Sequence, residues 1–113
     1  MAEHPKFTSK TEGVLRKAKL TLIAGTLVNG MEAMLRSAEK CDILRLLYLV
    51  GEMERLYGTF LNEMDAAIAQ GKVSFEEGLL AADEISRIRD DYIEATIRRL
   101  EKECGCRWRS ERS

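Results

Sequence analysis

Residues 43–70, ILRLLYLVGEMERLYGTFLNEMDAAIAQ, decide the fold. A heptad frame puts Ile43, Val50, Tyr57 and Met64 at one position and Leu46, Met53, Phe60 and Ala67 at a second. Leu47, Leu61 and Ile68 widen the stripe beside them. This spacing gathers apolar groups on one side of a helix and gives a strand no consistent face. Leu44, Leu49 and Leu56 fall off the stripe, so the first half of the helix is apolar almost all round. A helix of that kind needs cover on several sides. The stretch therefore reads as the middle member of a bundle or of an oligomer.

The boundaries follow outward from it. Asp42 is placed to cap the central helix, and Glu39–Asp42 connects it to what precedes. Upstream, Ser9-Lys10-Thr11-Glu12 has the form of a capping box. A first helix is expected from there to about Ala38, with Leu20, Ile23, Ala24, Leu27, Val28, Met31, Met34, Leu35 and Ala38 on its stripe. Asn29-Gly30 is a turn dipeptide, but the stripe keeps its phase across it, so the helix reads as unbroken. Downstream, Gly71 suits the left-handed residue that ends a helix. Ser74-Phe75-Glu76-Glu77 forms a second capping box, opening a third helix to about Glu103. Its inner arc is Ala81, Ile85, Ile88, Tyr92, Ile93, Thr96 and Leu100, and Asp83, Glu84, Arg87, Asp90, Asp91, Glu94, Arg98 and Lys102 form its wet face. Long helices joined by short loops give antiparallel neighbours. The expected fold is all-α: an elongated, up-down-up, antiparallel three-helix bundle that self-associates, a dimer being favoured. Residues 9–104 form the bundle, with a flexible segment at 1–8 and a basic flexible tail at 105–113.

Composition narrows the function classes. The 113 residues suit one domain, and Lys plus Arg (18) nearly balance Asp plus Glu (19), so no global field draws the chain to nucleic acid or an anionic membrane. The charge-free run Leu20–Met31 is too short to span a bilayer, which needs about 20 residues. The first fifteen residues lack the apolar core of an export signal. Three cysteines without such a signal point to a reducing cytoplasm.

Four constellations carry possible chemistry. Cys41, Cys104 and Cys106 converge at one pole of an up-down-up bundle, as structural thiols, a redox pair or a partial metal site. His4 belongs at the other pole, and thiolate metal sites usually want four ligands. Arg89 falls inside the apolar arc of the third helix and Glu54 on the stripe of the central one. A turn centred on Lys72 sets them side by side, as a partly buried ion pair that fixes register. The acidic residues of the third helix read as a solvated face. The spacing of Glu39 with Asp42 and of Asp91 with Glu94 is the kind that holds magnesium on helical hydrolases, but the usual E-x-x-E is missing. Finally, Arg107, Trp108, Arg109 and Arg112 set basic groups around an aromatic, which suits phosphate contact or a membrane surface.

The pattern offers no phosphate-cradling glycine loop and only His4 for a catalytic triad. No catalytic residue, metal ligand or cofactor is assigned. The expected function is a small helical protein–protein interaction module, an accessory, adaptor or inhibitor. Its surface would be Leu44, Tyr48, Leu49 and Leu56, apolar groups left over once the seam is buried. The alternatives are a nucleic-acid-associated factor using the basic ends and, less favoured, a metal-dependent hydrolase.

Overall fold

Thr8 opens the first helix. Its hydroxyl accepts from the Thr11 amide at 3.3 Å, and its carbonyl from Glu12 at 2.9 Å. The cap expected at Ser9 is therefore one residue earlier. A computed structural model describes the backbone from Phe7 to Arg112 and the side chains from Phe7 to Cys104. Four helices follow one another: α1 (Ser9–Ala18), α2 (Thr21–Glu39), α3 (Ile43–Ala69) and α4 (Phe75–Arg112). They pack into an elongated body of 51 × 29 × 19 Å. The fold is all-α, but the three-helix bundle is corrected to four helices.

The extra helix comes from a break at Lys19, not at Asn29-Gly30. Lys19 is left-handed (φ 62°), its amide bonds to the Arg16 carbonyl at 3.1 Å, and the Leu20 amide reaches back to Leu15 at 2.8 Å. That double bond pattern is the Schellman motif, with its usual apolar pair supplied by Leu15 and Leu20, both buried. The same motif recurs at each connection. Cys41 (φ 54°) bonds to Ala38 while Asp42 bonds to Ser37; Gly71 (φ 76°) bonds to Ile68 while Lys72 bonds to Ala67. Glycine meets the left-handed geometry without penalty, whereas Lys19 and Cys41 each cost about 1 kcal/mol. Asp42 caps α3 through the Arg45 amide, at 3.2 Å. Ser74 and Glu77 close their box reciprocally, at 2.9 and 3.0 Å. Past Glu103, where the sequence sets its end, α4 continues to Arg112.

The most buried helix is α2, not the leucine-dense α3. Ala24, Leu27, Met31 and Ala38 are all but inaccessible, and α2 lies against both α3 and α4, which touch each other far less. Leu15, Leu27, Met31, Phe60, Met64 and Ile85 belong to the main core, with Phe7 against its edge. A smaller cluster of Met34, Ala38, Leu46, Leu49 and Leu100 holds the pole where α2 ends and α3 begins. Met53 of α3 touches both clusters and fills the space a Cβ at Gly30 would need. Gly30 thus serves close helix packing rather than a turn.

Candidate functional site

Docking against α2 turns α3 on its axis. The side it buries carries Leu46, Leu49, Phe60, Met64 and Ala67, and Leu56 packs against the main core. The seam of Ile43 and Val50 is left at the edge, partly open, and Leu47 is 62 % exposed. Of the four residues expected to form an interaction surface, Leu44 and Tyr48 stand out in solvent, 83 % and 63 % exposed, whereas Leu49 and Leu56 lie inward. Leu49 is buried because it faces the smaller apolar cluster at the end of α2.

A second exposed apolar strip runs along α4, through Ile93 and Ile97. The two strips face each other across a shallow groove floored by α2. A pocket of about 40 Å³ in it is lined by Leu27, Met31, Met34, Val50, Met53, Glu54, Arg89 and Ile93. That is far below the roughly 300–1,000 Å³ of small-molecule sites. It has the size of a notch for one packing side chain. The strips also continue toward the α3–α4 turn. Leu61 follows Ile43, Ile93 follows Phe75 and Ile97 follows Leu79, each by eighteen residues, and about 18 residues is five full helical turns. Leu61, Phe75 and Leu79 are exposed. One side of the α3–α4 hairpin is thus apolar at both ends.

Glu54 and Arg89 interrupt that side at its middle. The Arg89 guanidinium lies 3.3 Å from the Glu54 carboxylate, 3.9 Å from Asp90, and over the Tyr57 ring at 5.0 Å. The structure brings the two together with Arg89 largely covered (30 % exposed) and Glu54 largely open (64 %). The arginine is pinned by its aromatic platform, and the carboxylate faces solvent.

Charges elsewhere fasten helices to one another. The Glu84 carboxylate accepts from the Thr8 amide at 2.8 Å, the Thr8 hydroxyl at 3.0 Å and the Thr11 hydroxyl at 2.6 Å, tying α1 to α4. It is not simply part of a wet face. Burial pushes its carboxyl up, but the bonds from Thr11 and Thr8 outweigh this and hold it below the ordinary carboxylate range. The Lys17 ammonium, bonded at 2.7 Å, and the Ser74 amide hold Glu77 below it too. Arg99 meets Glu39 at 3.2 Å, joining α4 to α2. The Tyr92 hydroxyl donates to Glu32 at 3.3 Å; burial first, then the carboxylate's charge, raises its titration.

Cys41 and Cys104 form a disulfide across 6.0 Å between their Cα atoms. The bond runs against the reducing cytoplasm expected from cysteine usage. Cys106 and the basic group Arg107, Trp108, Arg109 and Arg112 lie outside the described side chains, and His4 outside the described residues. Among the described residues, no three His, Cys, Asp or Glu side chains gather as for a metal ion, and no helix is long and apolar enough to cross a membrane.

None of the family models, curated proteins or solved structures compared with this chain matches it. The fold and the groove together define an all-α domain with a one-sided apolar hairpin.

Sequence reasoning missed Leu47, Ile93 and Ile97 as surface groups, assigning Leu47 and Ile93 to the seam and the inner arc. The available signal was the eighteen-residue recurrence that links Ile93 to Phe75 and Ile97 to Leu79, as it links Ile43 to Leu61; Leu47 had none. It says that the linked residues share a side, though not that the side is open.

Proposed function

We propose that this chain is a small helical protein–protein interaction module that self-associates and works by burying the open side of the α3–α4 hairpin. The supporting observation is the set Ile43, Leu47, Val50, Ile93 and Ile97, all exposed, with Val50 and Ile93 lining one groove. Isolated surface leucines are ordinary, but a contiguous apolar face larger than a few hundred Å² marks an interaction site. The notch between Val50 and Ile93 gives a docking side chain a place to anchor. Accessory, adaptor and inhibitor roles all use such a face.

The reading is tested by comparing the chain with its Leu47→Glu variant in affinity capture from cells, alongside a measurement of mass in solution. Leu47 is exposed, so the variant keeps its helical circular dichroism. The module reading expects association, with itself or a captured protein, that the variant loses. Identical behaviour of the two chains, or no association of either kind, overturns it.

A further inference from the structure

We infer that the occupant of the open hairpin side is a second copy of this chain, seated with its α4 over α3 and its α3 over α4 around a two-fold axis parallel to the helices. The inference rests on the interaction-module reading and specifies the partner for that same side.

Area is the first argument. At their fractional exposures, Ile43, Leu47, Val50, Ile93 and Ile97 with the three turn-end residues present roughly 800 Å² of surface, about what each partner brings to a standard stable interface. A face of this size needs no further segment to complete it.

Charge is the second argument, and it selects the orientation. A face that pairs with itself has two simple two-fold arrangements. An axis across the helices stacks α3 on α3, which sets Glu54 over Glu54 and Arg89 over Arg89. Like charges brought together in an interface are penalised. An axis along the helices stacks α3 on α4. The register that places Glu54 beside Arg89 within one chain then also places it over Arg89 of the second copy. The open carboxylate meets the pinned guanidinium, and four alternating charges close the centre. In the same register Leu47 lies over Ile97 and Val50 over Ile93. The result is a four-helix core of two hairpins, each backed by its own α2.

The test uses the full chain in sedimentation equilibrium from micromolar to several hundred micromolar. The expected species has twice the 12.8 kDa chain mass. Leu47→Glu and Ile97→Glu should each weaken association by at least about thirtyfold, the scale of an interface anchor. Glu54→Arg and Arg89→Glu should each weaken it, and an equimolar mixture of the two should associate again, since each reversed charge then meets its opposite. Orientation is read by oxidising a Leu47→Cys chain mixed with an Ile97→Cys chain, both also carrying Cys106→Ser. The proposed arrangement gives a mixed cross-linked dimer. A dimer that ignores both glutamates, or that gives no mixed cross-link, overturns the inference. So does a wild-type monomer at every concentration. If that monomer still captures a protein through Leu47, the module reading stands and the second-copy inference alone falls; if it does not, both fall.

Discussion

Reduction of the Cys41–Cys104 bond is the perturbation with the largest expected effect. The bond links residues 63 apart, so it closes more than half the chain into one loop. In the chain-entropy account a loop of that length restricts the unfolded state by roughly 4 kcal/mol. The pole it secures has few other resources: Met34, Ala38, Leu46, Leu49 and Leu100 are its buried set, and α3 touches α4 sparsely. The residue at one end of the bond, Cys41, is also held left-handed at φ 54°, a local cost the bond must outweigh. With a urea dependence of about 2 kcal/mol/M, the midpoint should fall by about 2 M on reduction. The melting temperature should fall by roughly 15 °C. Amide exchange adds resolution: protection around Leu46, Leu49 and Leu100 should drop first, while the main core at Leu27, Phe60 and Ile85 keeps its own. The assay is urea unfolding with and without a dithiol, repeated on Cys41→Ser, which should match the reduced chain and ignore the reductant. Equal midpoints for the oxidised and reduced chains would refute the reasoning, as would a Cys41→Ser variant as stable as the oxidised parent.

Three further outcomes are expected. Thr96 is buried with a hydroxyl that has no hydrogen-bond partner among the described residues, so Thr96→Val should raise stability by about 1 kcal/mol in the same unfolding assay. A Cβ at Gly78 would stand 2.7 Å from Ile68 and 3.3 Å from Met64. Gly78→Ala should therefore destabilise, by up to about 2 kcal/mol once the gain in helix propensity offsets part of the crowding. The Glu84 carboxyl is held below its ordinary value, so its contribution is complete above the unfolded-state value of 4.5 and is lost as pH falls through the lower folded value. Amide exchange in α1 should accelerate over that acid range, and Glu84→Gln should reduce the pH dependence to what the Lys17–Glu77 pair leaves.

The sequence is legible where a structure is made by neighbours in the chain. Asp42 with Arg45, Ser74 with Glu77, and Gly71 after Gln70 are local hydrogen-bond arrangements, and each is readable from residue type and spacing. The placing of Glu54 beside Arg89 is readable for a related reason, because a short turn fixes the register of the two helices it joins. The break at Lys19 left almost no trace. Lysine does not advertise a left-handed turn, and the sign that did exist, Leu15 and Leu20 five residues apart, is easily taken for helical stripe. The identity of the central helix was hidden more deeply. Leucine density made α3 look like the middle rod, but density does not say which side is used. Gly30 leaves room for Met53 against α2, and the side of α3 that docks there leaves Leu47 outside. The open side of the hairpin follows from how α3 and α4 dock on α2, not from any local pattern.

The position of α2 also bears on how the chain is made. Translation delivers α1 and α2, then α3, and α4 last, yet Leu27 and Met31 need both later helices for their cover. A growing chain that has not yet released Ile85 carries an uncovered apolar rod, and Cys41 has to wait for the 63 further residues that bring Cys104. Stalled chains with Ile85 still inside the ribosome should be bound by chaperones, whereas the released 113-residue chain should not.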